Sequence, residues 1–198
     1  MAPTIHMLSI FAMALLALSP TSALPSTNGP PSRADHHPTH SSKTATTPIS
    51  KRTAAEVVAE LNLIPNPEKG YFIETFRDAA NITTNGQPRS ASTAIYYLLE
   101  GAVGDSFWHR VDAAEVWHYY AGAPLVLSLS RDDGVPPARH VLGPDVFAGD
   151  RPQVVIPGLV WQSARSLGEW TLVGTTVAPG FVESGFELAD PSWTPNGA

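Results

Sequence analysis

The chain has 198 residues, 43% of them hydrophobic and 15% charged, with a formal net charge of −6 and no cysteine. That size suits one domain, at most two, with a real hydrophobic core. The missing cysteines exclude a disulfide framework, a thiolate zinc site and a cysteine nucleophile, and the negative charge argues against a nucleic-acid-binding surface.

In chain order, residues 7–18 form an apolar run too short to span a bilayer comfortably, and Thr21-Ser22-Ala23 follows as a small-x-small cleavage pattern. Residues 1–23 are therefore read as a signal peptide and the protein as secreted, although the segment before the apolar run carries no Lys or Arg, only His6. Residues 24–52 are rich in Ser, Thr and Pro and nearly devoid of large apolar side chains. Such a stretch cannot offset its own chain entropy by burial, so it is expected to be a disordered pro-segment. His36, His37 and His40 lie within it, where no fixed geometry would hold a metal. The segment ends in Lys51-Arg52, for which two readings stand: a subtilisin-like proprotein processing site, or two solvated charges. Without residues 1–52 the chain keeps eight basic and seventeen acidic residues, a net charge of −9, which should repel nucleic acid and anionic membranes.

The folded domain is expected over residues 53–190. Thr53 and Glu56 have capping-box spacing, Val57, Leu61 and Ile64 recur at helical spacing, and Pro65 and Pro67 end the helix. Short runs of β-branched and aromatic residues follow, over 71–77, 93–99, 107–111, 115–120, 125–130, 138–142, 153–156, 160–164 and 170–177. Turn signals such as Asn85-Gly86, Asp132-Asp133-Gly134, Gly143-Pro144 and Pro157-Gly158 punctuate them. Nine short strands at this spacing predict an all-β protein, an antiparallel barrel or double-sheet jelly roll. Residues 191–198 are expected to form a loose tail.

The stretch richest in chemistry runs from Ser106 to Gly122. It places His109 at the end of one strand and Glu115 at the start of the next, so a tight connection would bring both side chains into one barrel mouth. An imidazole and a carboxylate converging there can share a metal or act as a proton-transfer pair. Glu115 sits among Val, Trp, Tyr and Ala, where a carboxylate is costly to bury without a partner.

These residues resemble the cupin pattern. His109, Glu115 and Gly122 fit the shorter form of the first cupin motif, with Val111 where its second His would stand. The second motif falls on Pro157-Gly158-Leu159-Val160-Trp161-Gln162, with the Gly displaced by one and Gln162 in the His position. The chain is more similar still to the single-domain family called cupin 5. The resemblance rests on Pro65-Asn66-Pro67-Glu68-Lys69-Gly70-Tyr71, Ser92-Thr93-Ala94-Ile95-Tyr96-Tyr97-Leu98-Leu99, His109-Arg110, Glu115-Val116-Trp117-His118 and Gly174-Thr175-Thr176-Val177-Ala178-Pro179-Gly180-Phe181. It implies a cupin double-stranded β-helix, usually dimeric, with no general activity established for the family. Asn66 stands where the family usually has His, Lys69 where it usually has Gly, and Thr175 where Cys is common.

A full cupin centre uses three His and one Glu. Outside the leader and pro-segment this chain has only His109, His118 and His140, and a flat strand would put His118 and Glu115 on opposite faces unless a bulge intervened. Gln162 is a poor ligand for zinc or iron. Two readings stand: a weakened centre of His109, Glu115, Gln162 and His118 holding a divalent metal loosely, or a metal-free pocket in which these groups hydrogen-bond a ligand. The second is preferred, and no cofactor is expected. Tyr97, Trp161, Tyr71, His118 and Gln162 are assigned to ligand binding, with Trp161 or Tyr97 as an apolar wall; the bland reading of the aromatics is core or interface packing. Asn81-Ile82-Thr83 is an N-glycosylation sequon at Asn81.

The expected function is binding of a small molecule in the barrel of a secreted homodimer. An isomerase, epimerase or cyclase using His109 and Glu115 is the leading catalytic reading. A non-catalytic binding protein and, third, a metal-dependent oxygenase are the alternatives.

Overall fold

The computed structural model describes residues 47–84 and 86–198. The expected signal peptide and residues 24–46 of the expected pro-segment lie outside the described residues. Six residues of that segment are described and they are ordered. Ile49–Lys51 forms a turn of 3-10 helix, and the Arg52 carbonyl accepts the indole N–H of Trp170 at 3.0 Å.

Helix α1 (Ala54–Glu60) starts as the sequence predicts. The Thr53 hydroxyl accepts the Glu56 backbone N–H, and the Glu56 carboxylate accepts the Thr53 N–H at 2.8 Å. It ends earlier than the Leu61 and Ile64 spacing suggests. Asn62 takes a left-handed conformation (φ 54°), which its short polar side chain tolerates, and the chain leaves the helix there. Ile64–Pro65 instead form β1, paired with β2.

Twelve further strands follow: β2 (Tyr71–Arg77), β3 (Asn81–Thr84), β4 (Gln87–Ser90), β5 (Thr93–Glu100), β6 (His109–Val111), β7 (Ala114–Gly122), β8 (Leu125–Ser130), β9 (Ala138–Leu142), β10 (Gln153–Ile156), β11 (Trp161–Ser166), β12 (Trp170–Ala178) and β13 (Phe186–Leu188). They form a six-stranded sheet in the order β1-β2-β5-β12-β7-β10, a five-stranded sheet β13-β6-β11-β8-β9, and the hairpin β3-β4. All strand pairings are antiparallel. The nine strands read from the sequence are all present. Those it missed are short: β1 and β4 carry a Pro, β3 is polar, and β13 has only three residues.

Period-2 alternation assigns the faces. Tyr97 and Leu99 of β5, Trp117 of β7, Leu125 and Leu127 of β8 and Val173 of β12 point between the sheets and make the main core. The opposite face of the six-stranded sheet presents Leu98, Ala121 and Leu172 to Val57 of α1, so β5 is buried on both sides. A bulge at Tyr120 shifts the β7–β12 register between Leu172 and Val173. The Tyr120 ring lies across Gly174, where a Cβ would collide with it.

The C-terminal residues are docked rather than loose. The Trp193 ring packs against Trp161 at 4.4 Å between centroids, and the Asn196 N–H donates to the Asp132 carboxylate at 2.7 Å. Among the described residues no helix is long and apolar enough to cross a membrane.

Beside the open end of the sandwich, Arg89 of β4 is buried and forks onto both oxygens of Asp112 at 2.8 and 2.9 Å, in the β6–β7 turn. Its Nε donates to the Gly180 carbonyl. Three segments that frame the interior are thereby tied to one guanidinium. Asp112→Ala leaves that cation buried and unpaired, so it should lower unfolding stability by about 2–3 kcal/mol. Urea denaturation of the variant against wild type measures this; an unchanged midpoint would show that the clamp carries no stability.

Candidate active site

The β6–β7 turn crosses from one sheet to the other. His109 enters the interior from the five-stranded sheet and Glu115 from the six-stranded sheet. Both are buried, at 3% and 6% exposure. Gln162 pairs with His109 in register on the neighbouring strand β11. Its side-chain amide reaches across the gap and donates to Glu115 Oε2 at 2.6 Å. Thr175 of β12 also acts on the Glu115 carboxylate, lowering its pKa. The three polar side chains that the two motifs brought forward therefore meet between the sheets.

A fourth group joins them that sequence reasoning did not single out. Glu68 lies in the turn before β2 and places Oε2 3.5 Å from His109 Nδ1. The turn is pinned at several points. The Asn66 side chain accepts the Glu68 N–H at 2.9 Å, and the Glu68 carbonyl accepts the Phe107 N–H at 3.1 Å. Gly70 (φ 72°) backs onto the Leu98 carbonyl, where a Cβ would collide. Lys69 also has positive φ, 85°, a conformation that favours glycine. Here the cost is offset by the ammonium, which donates to the Val103 and Asp105 carbonyls at 3.0 and 2.6 Å and lies over the Phe107 ring. The available sequence signal was a lone carboxylate in a Pro- and Gly-punctuated turn abutting a strand of the core.

Glu68, His109 and Glu115 line a cavity of ≈ 60 Å³, closed elsewhere by Tyr97, Trp117, Phe181 and Phe186. A water needs roughly 10–15 Å³ by the same measure, so the space suits a handful of waters or a molecule of a few heavy atoms. Tyr97 forms part of the wall as expected, its hydroxyl donating to the Lys69 carbonyl at 3.0 Å.

Three assigned residues are elsewhere. Trp161 alternates away from Gln162 and sits on the outer face, between the Arg110 guanidinium and Trp193. His118 faces outward as well. The bulge falls two residues later, at Tyr120, so the strand is regular from Glu115 to His118; the ring stacks along Tyr120, with Thr176 Oγ1 at 3.5 Å. Tyr71 pairs with Leu98 and packs with it on the helix-bearing face. Asn81 is exposed at the start of β3, in a hairpin strand rather than a loop.

Burial governs the electrostatics. It pushes the Glu68 carboxyl up to about 8. It raises Glu115 too, against the lowering influence of His109, Gln162 and Thr175. It lowers His109, against the raising influence of Glu115 and the Phe107 carbonyl. That carbonyl lies 3.1 Å from His109 Nδ1 and can only accept, so in the neutral ring Nδ1 carries the proton and Nε2 is the basic atom.

The side chains do not make up a cupin metal centre. Only His109 and Glu115 occupy ligand positions. The group in the third, Gln162, directs its N–H at Glu115, and His118 points out. Among the described residues no three His, Cys, Asp or Glu side chains lie close enough together to hold an ion.

Residues 55–189 match the family Cupin_5, described as Cupin superfamily (DUF985). A hypothetical protein from Leishmania major is similar in structure, with 31% identity and a TM-score of 0.62, over 69% of this chain and 86% of that one. A protein from Shewanella oneidensis is similar at 29% identity and a TM-score of 0.63, over 69% of this chain and 84% of that one. No curated protein matches.

Glu68 binds a proton in the folded protein up to about pH 8, but in the unfolded chain only to the ordinary carboxyl range near 4.5. Its contribution to stability is fully present below about 4.5 and is lost as pH rises to about 8. Glu115 acts in the same sense. The lowered His109 acts in the opposite one, costing stability as pH falls below 6.5. Glu68→Gln should therefore flatten the decline in thermal midpoint between pH 6.5 and 8.5. Parallel melting profiles for wild type and variant would contradict the half-buried, protonated Glu68.

Proposed function

The chain belongs to the Cupin_5 family of the cupin superfamily, and on that fold we propose that it binds a small molecule between its sheets and catalyses a metal-independent proton transfer of the isomerase, epimerase or cyclase type. One observation carries this reading: a carboxyl group, an imidazole and a second carboxyl group converge on one cavity. Between the lowered pKa of His109 and about 8, the cavity holds a neutral imidazole beside a protonated Glu68. The first can take a proton from a bound molecule while the second gives one to another atom of it. The imidazolium and carboxylate so formed are neighbours across the 3.5 Å contact, which stabilises the pair until solvent takes the proton from Nε2 and returns one to Glu68. No redox partner is needed, because the substrate gains and loses one proton. Glu115, which accepts from Gln162, raises the His109 pKa and so favours the transient imidazolium.

Secretion, glycosylation at Asn81 and association as a homodimer belong to the same proposal. The exposed sequon supports the second. Val155 and Ile64, exposed on the edge strands β10 and β1, support the third. A non-catalytic receptor or carrier is the competing reading.

Native mass spectrometry of protein purified without chelators should show a small bound molecule and well under one metal ion per chain. In D2O the wild type should wash deuterium into that molecule, with the rate limb at high pH near 8 absent in Glu68→Gln. His109→Ala should slow the exchange at least 100-fold while leaving affinity within a few-fold. Exchange unaffected by His109→Ala would leave only the binding reading. A stoichiometric transition metal lost in Glu115→Gln would replace the mechanism with a metal-dependent one.

A further inference from the structure

The cavity wall changes character beyond the titratable groups. Val111 follows His109 by two positions on β6, and Val177 lies beside Glu115 in the β7–β12 register. Both line the cavity, and Phe181 and Phe186, from the segment that joins β12 to β13, pack against them and line it too. The two phenyl rings lie 5.7 Å apart between centroids, and Phe186 is 5.8 Å from the His109 ring. Val111, Val177, His109 and Glu115 are buried, whereas both phenylalanines are half-buried, so the part of this wall that meets solvent is aromatic. Both rings are held in place. The Phe181 N–H donates to the Thr93 hydroxyl at 2.9 Å, and its carbonyl accepts from Arg77 at 3.1 Å. Phe186 opens β13 in register with Val111, and the Gly185 carbonyl before it accepts the Asp112 N–H at 2.8 Å. A Cβ at position 185 would collide with the Asp112 carboxylate, so the chain approaches that closely only as glycine.

We infer that Phe181 and Phe186 determine specificity by holding a hydrocarbon part of the bound molecule, so that the ligand is amphipathic, with a polar head at Glu68 and His109 and an apolar substituent against the two rings. The inference rests on the reading of this cavity as the binding site and narrows what it takes. A pocket that is apolar apart from a few convergent polar groups fixes orientation with those groups and draws its affinity from the rest of the wall. Because the backbone already fixes both rings, little freedom is lost when a ligand packs against them. The space of ≈ 60 Å³ admits few atoms, so a substituent of even two or three carbons reaches the phenylalanines. Each methylene buried there should tighten binding about fourfold. A polyhydroxylated molecule such as a sugar would set its outer hydroxyls against Val111, Val177 and the rings. They would lose water with no hydrogen bond in return, which opposes binding.

The test uses four neutral ketones, whose carbonyl can accept from Glu68 while a neighbouring C–H faces His109: acetone, 2-butanone, 2-pentanone and hydroxyacetone. The last has the shape of 2-butanone with a hydroxyl in place of the end methyl. Each is titrated at pH 7 into the full chain while the His109 ring C–H resonances are followed by NMR. From acetone to 2-butanone to 2-pentanone, binding should tighten about fourfold at each step, and hydroxyacetone should bind roughly fivefold more weakly than 2-butanone. Phe181→Ala and Phe186→Ala, each shown to be folded by a thermal melt, should bring the three simple ketones within about twofold of one another. The wild-type series stands even if one variant does not fold, and the other variant then assigns the effect. Equal or tighter binding of hydroxyacetone overturns the inference in favour of a polar ligand. A flat series in the wild type, or a slope unchanged in a folded variant of either ring, overturns the assignment to the phenylalanines. If none of the four binds, the inference fails, and the D2O exchange experiment still decides the underlying reading separately.

Discussion

A carboxyl group cannot be enclosed between two apolar sheets without partners, and Glu115 is where this chain meets that constraint. Its answer sets the relation of the two sheets. Gln162 on the five-stranded sheet donates across the interior to Glu115 on the six-stranded one. The hydrogen bond has a fixed length and direction, whereas the surrounding contacts of Leu125, Leu127, Val154 and Val173 have neither. The apolar layer supplies most of the driving force for closing the sandwich. The polar bridge selects the register in which it closes, and that register puts His109 opposite Glu115. Shifting β11 by one residue would bury Trp161 in place of Gln162 and strand the carboxylate.

The same arrangement explains why the site is acid–base in character. Desolvation acts on all the ionisable groups at once and pushes carboxyl and imidazole toward their neutral forms. Glu68 and Glu115 move up and His109 moves down, which for Glu68 and His109 inverts the order that carboxyl and imidazole have in water. The ion pair of Arg89 and Asp112, a few residues away, has a different part: its bidentate contact holds the frame still.

How much of this was legible in the sequence follows from where each residue lies. Alternation within strands is local and strict, so β5, β7, β8 and β12 could be read directly, and His109, Glu115, Gln162 and Tyr97 came with them. The same alternation, carried through without exception, would have turned His118 and Trp161 outward. A bulge was needed to bring His118 in, and the one that exists lies beyond it at Tyr120, where Gly174 leaves room for the ring. Tyr71 failed for another reason, since β2 is faced on one side by the core and on the other by α1, and composition does not tell two apolar faces apart. Glu68 was hidden because turns have no period. Its position depends on the left-handed backbone at Lys69 and Gly70 and on the contact with Phe107, thirty-nine positions along the chain.

Lys69 and Thr175 bear on the site through this same turn and strand. Glycine at position 69 would adopt the positive φ freely; lysine adopts it at a cost and directs its ammonium to two carbonyls of the 103–105 segment, which stiffens the loop that carries Glu68. Thr175 acts on the second carboxyl group, Glu115, from β12 and lowers its pKa against the burial that raises it. The two residues therefore work on the two carboxyl groups in different ways, one through the backbone that carries Glu68 and the other through the field at Glu115.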